Sequence, residues 1–214
     1  GHHVFHGVSF SVEPGEIVGV IGESGSGKSM TALSVIRLLP QGAHSKGHVR
    51  LDGRDLLSLG ERALCDLRGR DIGMVFQEPM TALNPLHTIG DQVAETILIH
   101  ESVGRSAAMQ RAAEVLKRVG LPAEKVPLSR YPHELSGGQR QRFGIAMAIA
   151  LRPRLLIADE PTTALDVTTQ AEVLALLKRL VNEDGMGLML ISHDLGVVAG
   201  MADRIVIMHN GSVI

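Results

Sequence analysis

The sequence IVGVIGESGSGKS, residues 17–29, joins an apolar run of strand length to a glycine-rich loop. Residues 22–29 fit the pattern G-x-x-x-x-G-K-[ST], and residues 30–39 after them have the composition of a helix. Glycines at positions 22, 25 and 27 let backbone amides converge without Cβ clashes, at a helix start that favours anions. Lys28 adds a mobile positive charge, and Ser29 has a hydroxyl that can ligate Mg²⁺. The stretch predicts a phosphate-binding loop, with a purely structural glycine turn as the alternative.

Short apolar runs alternate with helical patterns along the rest of the chain. Continuous runs of this length are typical of parallel strands buried on both faces of a sheet. They occupy residues 17–21, 72–76, 155–158, 188–191 and 205–208. Apolar positions at helical spacing in residues 171–181 indicate a helix that crosses over this sheet. The predicted fold class is therefore α/β with a mostly parallel sheet.

Residues 88–150 differ from the rest, because they are helical in composition, broken by Gly and Pro, and lack strand signals. We expect one domain over residues 1–214, with a helical subdomain at about 88–150 inserted into a sheet core. That core is predicted to comprise about residues 1–87 and 151–214.

The composition of the chain excludes several classes of protein. With 214 residues, 44% hydrophobic and 21% charged, the chain is long and apolar enough to form a globular core. Its formal net charge of −2 and the absence of a long basic run argue against a nucleic-acid partner. A single cysteine, Cys65, excludes an internal disulfide. The apolar runs are shorter than the roughly 20 residues of a membrane span, so any membrane-spanning part would have to come from other chains.

The segment LLIADEP, residues 155–161, is an apolar strand that ends in two carboxylates. Asp159 can join the shell of a Mg²⁺ ion, and Glu160 can face an attacking water. An acidic pair at a strand end can also be a solvated turn. Following a phosphate-binding loop in the same chain, it favours a catalytic role.

Four further motifs carry a family resemblance. They are LSGGQRQR at residues 135–142, Gln77 after the strand IGMVF, ALD at residues 164–166, and His193 after LMLIS. With the loop and the acidic pair, they resemble the ATP-binding subunit of ABC transporters. FQEPMTALNP at residues 76–85 and LLIADEPTTALDVTTQA at residues 155–171 are similar to the oligopeptide and dipeptide importer branch. The resemblance implies a P-loop NTPase (RecA-like) core, an inserted helical subdomain and a small N-terminal antiparallel β portion.

The resemblance also implies roles for individual residues. Glu160 would be the general base, His193 would contact the γ-phosphate, and Gln77 would sense Mg²⁺ while coupling the two subdomains. The implied catalytic residues are Glu160, His193, Gln77 and Lys28, and the implied metal ligands are Ser29, Gln77 and Asp159. The implied nucleotide-binding residues are Gly22, Glu23, Ser24, Gly25, Ser26, Gly27, Lys28, Ser29, Met30, Ser136, Gly137, Gly138, Gln139 and Asp166. Without the other motifs, a histidine after a strand is commonly a plain surface or core residue, and an aspartate in a turn is commonly a cap.

The partners follow from the same resemblance. Ser136, Gly137 and Gly138 open a helix and so form a second phosphate-binding helix start. In the family, this signature closes over ATP held by the loop of a second ATP-binding subunit, identical or paralogous, in a head-to-tail dimer. We expect ATP and Mg²⁺ as ligands, two integral membrane permease subunits as partners, and an extracytoplasmic solute-binding protein acting indirectly. The expected location is peripheral, at the cytoplasmic face of the inner membrane.

Three alternatives remain open from the sequence. A soluble ABC ATPase of DNA repair or translation shares these motifs, although such proteins usually carry long coiled-coil insertions that residues 77–135 have no room for. A nucleotide kinase would leave LSGGQ unexplained. An importer of nickel, glutathione or another small solute fits as well as a peptide importer, since the cargo is selected by other subunits. We further expect that the natural chain extends beyond both ends, with an adenine-stacking residue upstream.

Overall fold

The computed structural model describes residues 7–78 and 83–214. Residues 79–82, within the predicted motif at 76–85, lie outside the described residues. The strands are β1 (Ile17–Gly22), β2 (Arg50–Leu51), β3 (Arg54–Asp55), β4 (Ile72–Val75), β5 (Leu155–Asp159), β6 (Gly187–Ile191), β7 (Arg204–His209) and β8 (Ser212–Val213). The helices are α1 (Lys28–Val35), α2 (Glu61–Leu67), α3 (Ile89–His100), α4 (Arg105–Arg118), α5 (Gly137–Ile149), α6 (Val167–Asp184) and α7 (Leu195–Ala199), with 3-10 turns at Leu56–Ser58 and Pro132–Glu134.

The main sheet has the strand order β4-β5-β6-β1-β7-β8. In this sheet β4, β5, β6, β1 and β7 run parallel to one another, and among the strands of residues 7–78 and 83–214 that belong to it only β8 pairs in the antiparallel sense. All five residues of β6 are buried, as expected for a central strand with helices on both faces. The predicted apolar runs agree with β1, β4, β5, β6 and β7 to within one residue at each end. The prediction of an α/β fold with a mostly parallel sheet is confirmed.

The small antiparallel portion is the hairpin of β2 and β3. Its two turn residues, Asp52 and Gly53, both have positive φ, at 48° and 77°. This is the conformation of the tight hairpin turns whose twist matches that of the flanking strands. The predicted antiparallel portion is confirmed in this hairpin.

The first helix differs from its prediction. The sequence predicts a helix over residues 30–39, whereas α1 begins at Lys28 and ends at Val35. It ends because Arg37 adopts a left-handed φ of 51°, which lets the amide of Leu38 donate to the carbonyl of Leu33. This is a Schellman motif with arginine in the position that glycine usually takes. The residue type therefore does not predict where the helix ends.

The helices α3, α4 and α5 lie in the stretch predicted to be helical, and the described residues 83–150 contain no strand. Their buried side chains, among them Ile89, Leu116 and Phe143, form one core cluster together with α6 and one face of the sheet. A second cluster on the other face includes residues of α1, α2 and the hairpin region. The division into two subdomains at residues 88 and 150 stays a prediction. Among the described residues, no helix has the length and apolarity needed to cross a membrane.

Candidate functional site

The glycine-rich loop connects the end of β1 at Gly22 with the start of α1 at Lys28. Gly25 and Gly27 have left-handed φ values of 81° and 99°, a conformation that costs a residue with a Cβ but not glycine. The ammonium of Lys28 donates to the carbonyls of Gly22 and Glu23, at 2.7 and 2.9 Å. Lys28 therefore folds back across the loop.

The end of β7 and the turn that follows it pack against this loop. A Cβ on Gly22 would lie 2.2 Å from the carbonyl oxygen of Met208, and the amide of Gly211 donates to the carbonyl of Ser26 at 3.2 Å. The Ser26 side chain is buried, and its hydroxyl has no hydrogen-bond partner among the described residues. An unpaired buried hydroxyl beside a cationic ammonium and a helix N-terminus is an arrangement suited to an anion such as a phosphate.

Asp159 lies at the end of β5, next to the start of α1. The hydroxyl of Ser29 donates to its Oδ1 at 3.1 Å, and the residue is only 5% exposed. Burial raises the pKa of Asp159, and the charge of Glu160 adds to this, while the Ser29 hydrogen bond and the Lys28 charge oppose it. A buried carboxylate and a hydroxyl are hard oxygen donors, and they fit the preference of Mg²⁺.

Glu160 leaves the strand direction with a left-handed φ of 46°, an uncommon conformation for a residue other than glycine. Its Oε2 accepts hydrogen bonds from Gln77 Nε2 at 3.1 Å and from Thr163 Oγ1 at 3.0 Å. His193 Nδ1 lies 3.2 Å from the same oxygen. Two predicted site residues, Gln77 and His193, thus converge on a carboxylate oxygen of a third, Glu160. Thr163 was not predicted, and its only sequence signal is that it follows the acidic pair closely.

The loop carrying His193 has its own supports. The buried hydroxyl of Ser192 accepts from the amide of Asp194 at 3.0 Å, and Asp194 caps α7 by accepting from Gly196 and Val197. These bonds hold the backbone on both sides of His193, whose side chain is 65% exposed. The backbone is fixed and the imidazole is largely exposed, so the ring can meet a ligand from solvent while its Nδ1 faces Glu160.

The predicted signature lies at the start of α5. Ser136 is the N-cap, and its hydroxyl accepts from the amide of Gln139, while the Gln139 side chain accepts from the amide of Ser136. This reciprocal capping box fixes the first turn. Ser136 and Gly137 are exposed, so the positive end of the helix dipole faces solvent.

Asp166 is the N-cap of α6. Its carboxylate accepts from the amide and the hydroxyl of Thr169, at 3.0 and 2.6 Å. The hydroxyl bond and then the amide bond lower the pKa of Asp166. This is the ordinary capping role that an aspartate in a turn can have, so the predicted role of Asp166 in nucleotide binding stays a prediction.

The predicted site residues fall into two groups. The strand order β4-β5-β6-β1 brings the residues that follow these strands to one edge of the sheet, where α/β proteins bind ligands. The residues at this edge are Gln77, Asp159, Glu160, His193, the loop residues Gly22–Ser29 and the half-buried Met30. The second group, at the starts of α5 and α6, consists of Ser136, Gly137, Gly138, Gln139 and Asp166.

A parallel sheet with a phosphate-binding loop after β1 and an acidic pair after β5 defines a P-loop NTPase fold. The family model described as ABC transporter matches residues 5–163, and the chain belongs to this family.

Curated relatives in this family are similar over nearly the whole chain. The peptidoglycan transport ATP-binding protein YejF of Agrobacterium fabrum is 54% identical over 209 residues, covering 97% of this chain and 38% of the relative. A putative peptide import ATP-binding protein of Brucella melitensis is 51% identical over 214 residues, covering 97% and 63%. The oligopeptide transport ATP-binding protein OppD of Bacillus subtilis is 47% identical over 210 residues, covering 97% and 59%. The chain therefore spans between 38% and 63% of the length of these three relatives.

Solved structures agree with this assignment. The dimeric structure of MJ0796, a bacterial ABC transporter cassette, matches with a TM-score of 0.85 and 33% identity, covering 98% of this chain and 88% of that chain. A dimeric post-hydrolysis state of the same cassette, bound to ADP and Pi, matches with a TM-score of 0.84, with the same identity and coverage.

Proposed function

We propose that this chain is the ATP-hydrolysing motor of an ABC importer for peptides or peptide-like solutes. The observation that carries the proposal is the convergence of Gln77, Thr163 and His193 on Oε2 of Glu160, beside a phosphate-binding loop. A purely structural glycine turn would not require such an arrangement. Relatives that are named as peptide transport proteins support the cargo class.

ATP would bind with its phosphates in the loop. The ammonium of Lys28, now bonded to two loop carbonyls, would exchange these bonds for phosphate oxygens, which are stronger acceptors because they are charged. The hydroxyl of Ser26 would gain a partner in the same event. Ser29, Asp159 and Gln77 are the residues that would hold Mg²⁺, which supplies charge neutralisation of the outer phosphates.

Hydrolysis would use Glu160 as the general base. Its carboxylate would accept a proton from a water as the water oxygen bonds to the γ-phosphorus and the bond to the β-phosphate oxygen breaks, giving ADP and phosphate. Gln77 and Thr163 orient the carboxylate by their hydrogen bonds. His193, whose Nδ1 lies 3.2 Å from Oε2 of Glu160, would contact the transferred group as charge develops on it.

The second group of residues would complete the site of another subunit. The starts of α5 and α6 are exposed, so their amides and the Asp166 carboxylate can meet a partner. In a head-to-tail dimer, each signature would then close over the nucleotide held by the opposite loop. The match to dimeric cassette structures supports this part of the proposal.

Membrane subunits would dock beside Gln77. An apolar groove lies there between the end of α1, β4 and α5, and Val75, Leu83 and Met147 are among the residues that line it. Motion of Gln77 on nucleotide binding would reach this groove through the adjoining strand β4. The chain would thus work peripherally at the cytoplasmic face of the inner membrane, together with two permease subunits and, indirectly, an extracytoplasmic solute-binding protein.

The test of the activity is Glu160→Gln in the full-length protein. The substitution keeps size and polarity but removes the proton acceptor, so kcat for ATP hydrolysis should fall by about 10²–10⁴-fold while ATP binding persists. The matched control is Glu124→Gln, at an exposed position away from the site, which should hydrolyse ATP like the wild type. Unchanged turnover in Glu160→Gln would remove Glu160 as the base.

The test of the transport role is co-purification. The full-length chain, expressed with its neighbouring genes, should be isolated together with hydrophobic permease subunits. Isolation of an active ATPase that remains free of them would favour a soluble ABC ATPase instead. Transfer of phosphate to an acceptor nucleotide, in place of release as inorganic phosphate, would favour a kinase.

A further inference from the structure

The first turns of α5 and α6 touch at Gly138. A Cβ built on this glycine would lie 2.6 Å from the Cγ2 methyl of Thr169, closer than real Cβ atoms approach. A Cβ built on Gly137, the residue before it, would lie 3.8 Å from Cδ2 of Leu165, an ordinary van der Waals distance. Gly138 therefore permits the two helix starts to pack backbone against side chain, with Thr169 as the side chain between them.

The other branch of Thr169 holds Asp166. Its hydroxyl donates to Oδ2 at 2.6 Å, and its amide donates to Oδ1 at 3.0 Å. One residue thus occupies both oxygens of a carboxylate that is otherwise exposed. With χ1 fixed by the methyl against Gly138, the hydroxyl has a defined direction, because a β-branched side chain has few rotamers in a helix.

Two further contacts connect α6 with α5 and with the loop that follows Glu160. Gln170 donates to the carbonyl of Thr162 at 3.2 Å, in the loop that follows Glu160. One turn further along each helix, the guanidinium of Arg142 pairs with Glu172 at 2.7 Å. The start of α6 is therefore bonded to α5 on one side and to the loop of the catalytic carboxylate on the other.

We propose that Thr169 is a positioning residue that sets the Asp166 carboxylate relative to the signature helix, so that the two meet a second subunit as one rigid unit. The inference rests on the proposed ATPase function and adds a residue to it. The effect of Thr169 passes through Asp166 and should therefore be absent wherever Asp166 is absent.

The experiment uses full-length protein and compares Thr169→Val with Thr169→Ser. Valine keeps a methyl against Gly138 but removes the hydroxyl that holds Asp166, so kcat for ATP hydrolysis should fall about tenfold, with ATP binding by the monomer changed less than about twofold. Serine keeps the hydroxyl and should recover at least about half of the wild-type kcat. Thr96→Val is the matched control, because it also removes the hydroxyl of a half-buried helical threonine, here bonded to Gln92 in α3, and it should leave kcat unchanged.

A double variant separates positioning from general stability. Asp166→Ala and Asp166→Ala/Thr169→Val should have the same kcat, because Thr169 acts through Asp166. Equal activity of Thr169→Val and wild type, failure of serine to rescue, or additive losses in the double variant would each overturn the inference. An inactive wild-type protein would instead refute the proposed function, so the two failures are distinguishable.

Discussion

Asp159 and Glu160 are neighbours in sequence but have different surroundings. Asp159 is the last residue of β5 and points into the packing beside α1, where Ser29 is its hydrogen-bond donor. Glu160 turns out of the strand through its left-handed φ and meets Gln77, Thr163 and His193 instead. This backbone strain separates the two carboxylates, which suits one for holding a cation and the other for accepting a proton.

Asp159→Asn should stabilise the nucleotide-free protein at neutral pH. Because burial raises the pKa of Asp159, the folded state holds this proton more tightly than the unfolded chain does, and stability falls as pH rises from the ordinary pKa of 3.8 to the raised one. Above that interval the full penalty is present, and the asparagine variant avoids it while still accepting from Ser29. We expect its Tm to rise by about 2–4 °C, which for a domain of this size corresponds to about 1 kcal/mol.

Thermal unfolding at several pH values checks this prediction. The difference in stability between variant and wild type should shrink as the pH is lowered toward 3.8. Glu124→Gln, an exposed carboxylate-to-amide change, should show no such difference. A Tm below that of the wild type at neutral pH would show that burial of the charge is not the dominant cost.

Three helix starts define the candidate site, and each is capped differently. α1 begins at a left-handed glycine without a side-chain cap, α5 at the Ser136–Gln139 capping box, and α6 at the Asp166–Thr169 pair. The uncapped start leaves its amides free for an anion. The two capped starts are rigid, and this rigidity fits surfaces that must meet a partner in one geometry.

Gly138→Ala tests the packing of α5 on α6. The new methyl would clash with Thr169, so we expect a loss of about 1–3 kcal/mol in the free energy of unfolding, from the forced separation of the two helices. Gly104→Ala is the control, because Gly104 caps α4 with an ordinary φ of −73° and a Cβ there would have nothing within 4 Å. Denaturant unfolding of both variants measures the difference. Equal stability would mean that the helix starts are loosely packed.

The whole molecule places its site residues in two groups. One group lies at the carboxyl edge of the sheet, and the other lies at helix starts whose contacts join α5 to α6. A Cβ built on Gly137 or Gly138 would meet Leu165 or Thr169 within 4 Å, and neither residue belongs to the loop at residues 22–29. This separation is what a head-to-tail dimer requires, since each group then needs the complementary group of a partner.

Mixing two inactive variants tests this arrangement. Lys28→Ala should weaken ATP binding directly by removing a charged phosphate contact, whereas Ser136→Arg should spare binding by the monomer and block dimer closure. A mixed dimer contains one site with both lesions and one with neither, so ATP-dependent dimerisation should partly recover in the mixture. Light scattering on full-length protein measures it. Loss of monomer ATP binding in Ser136→Arg as severe as in Lys28→Ala would mean that the signature serves its own subunit.

Several features could be predicted from the sequence because they depend on local patterns. Continuous apolar runs located five strands of the main sheet, since strands buried on both faces exclude polar residues. The loop at residues 22–29 was predictable from the spacing of its glycines and lysine. The glycines allow the backbone conformation, and the lysine supplies the positive charge, that phosphate binding requires. The end of α1 was not, because a left-handed arginine at position 37 carries no signal in its residue type.

The sequence alone thus determined the sheet class and predicted the phosphate loop and the residues that could do chemistry, because each of these signals lies within a few consecutive residues. Only the tertiary structure determined which of these residues contact one another. The contacts of Glu160 with Gln77 and His193, and of Gly138 with Thr169, join segments that are far apart in sequence. They exist because the strand order places β4, β5, β6 and β1 side by side and because glycine lets two helix starts approach. Neither the strand order of the sheet nor the contact between the starts of α5 and α6 can be predicted from a local stretch of residues.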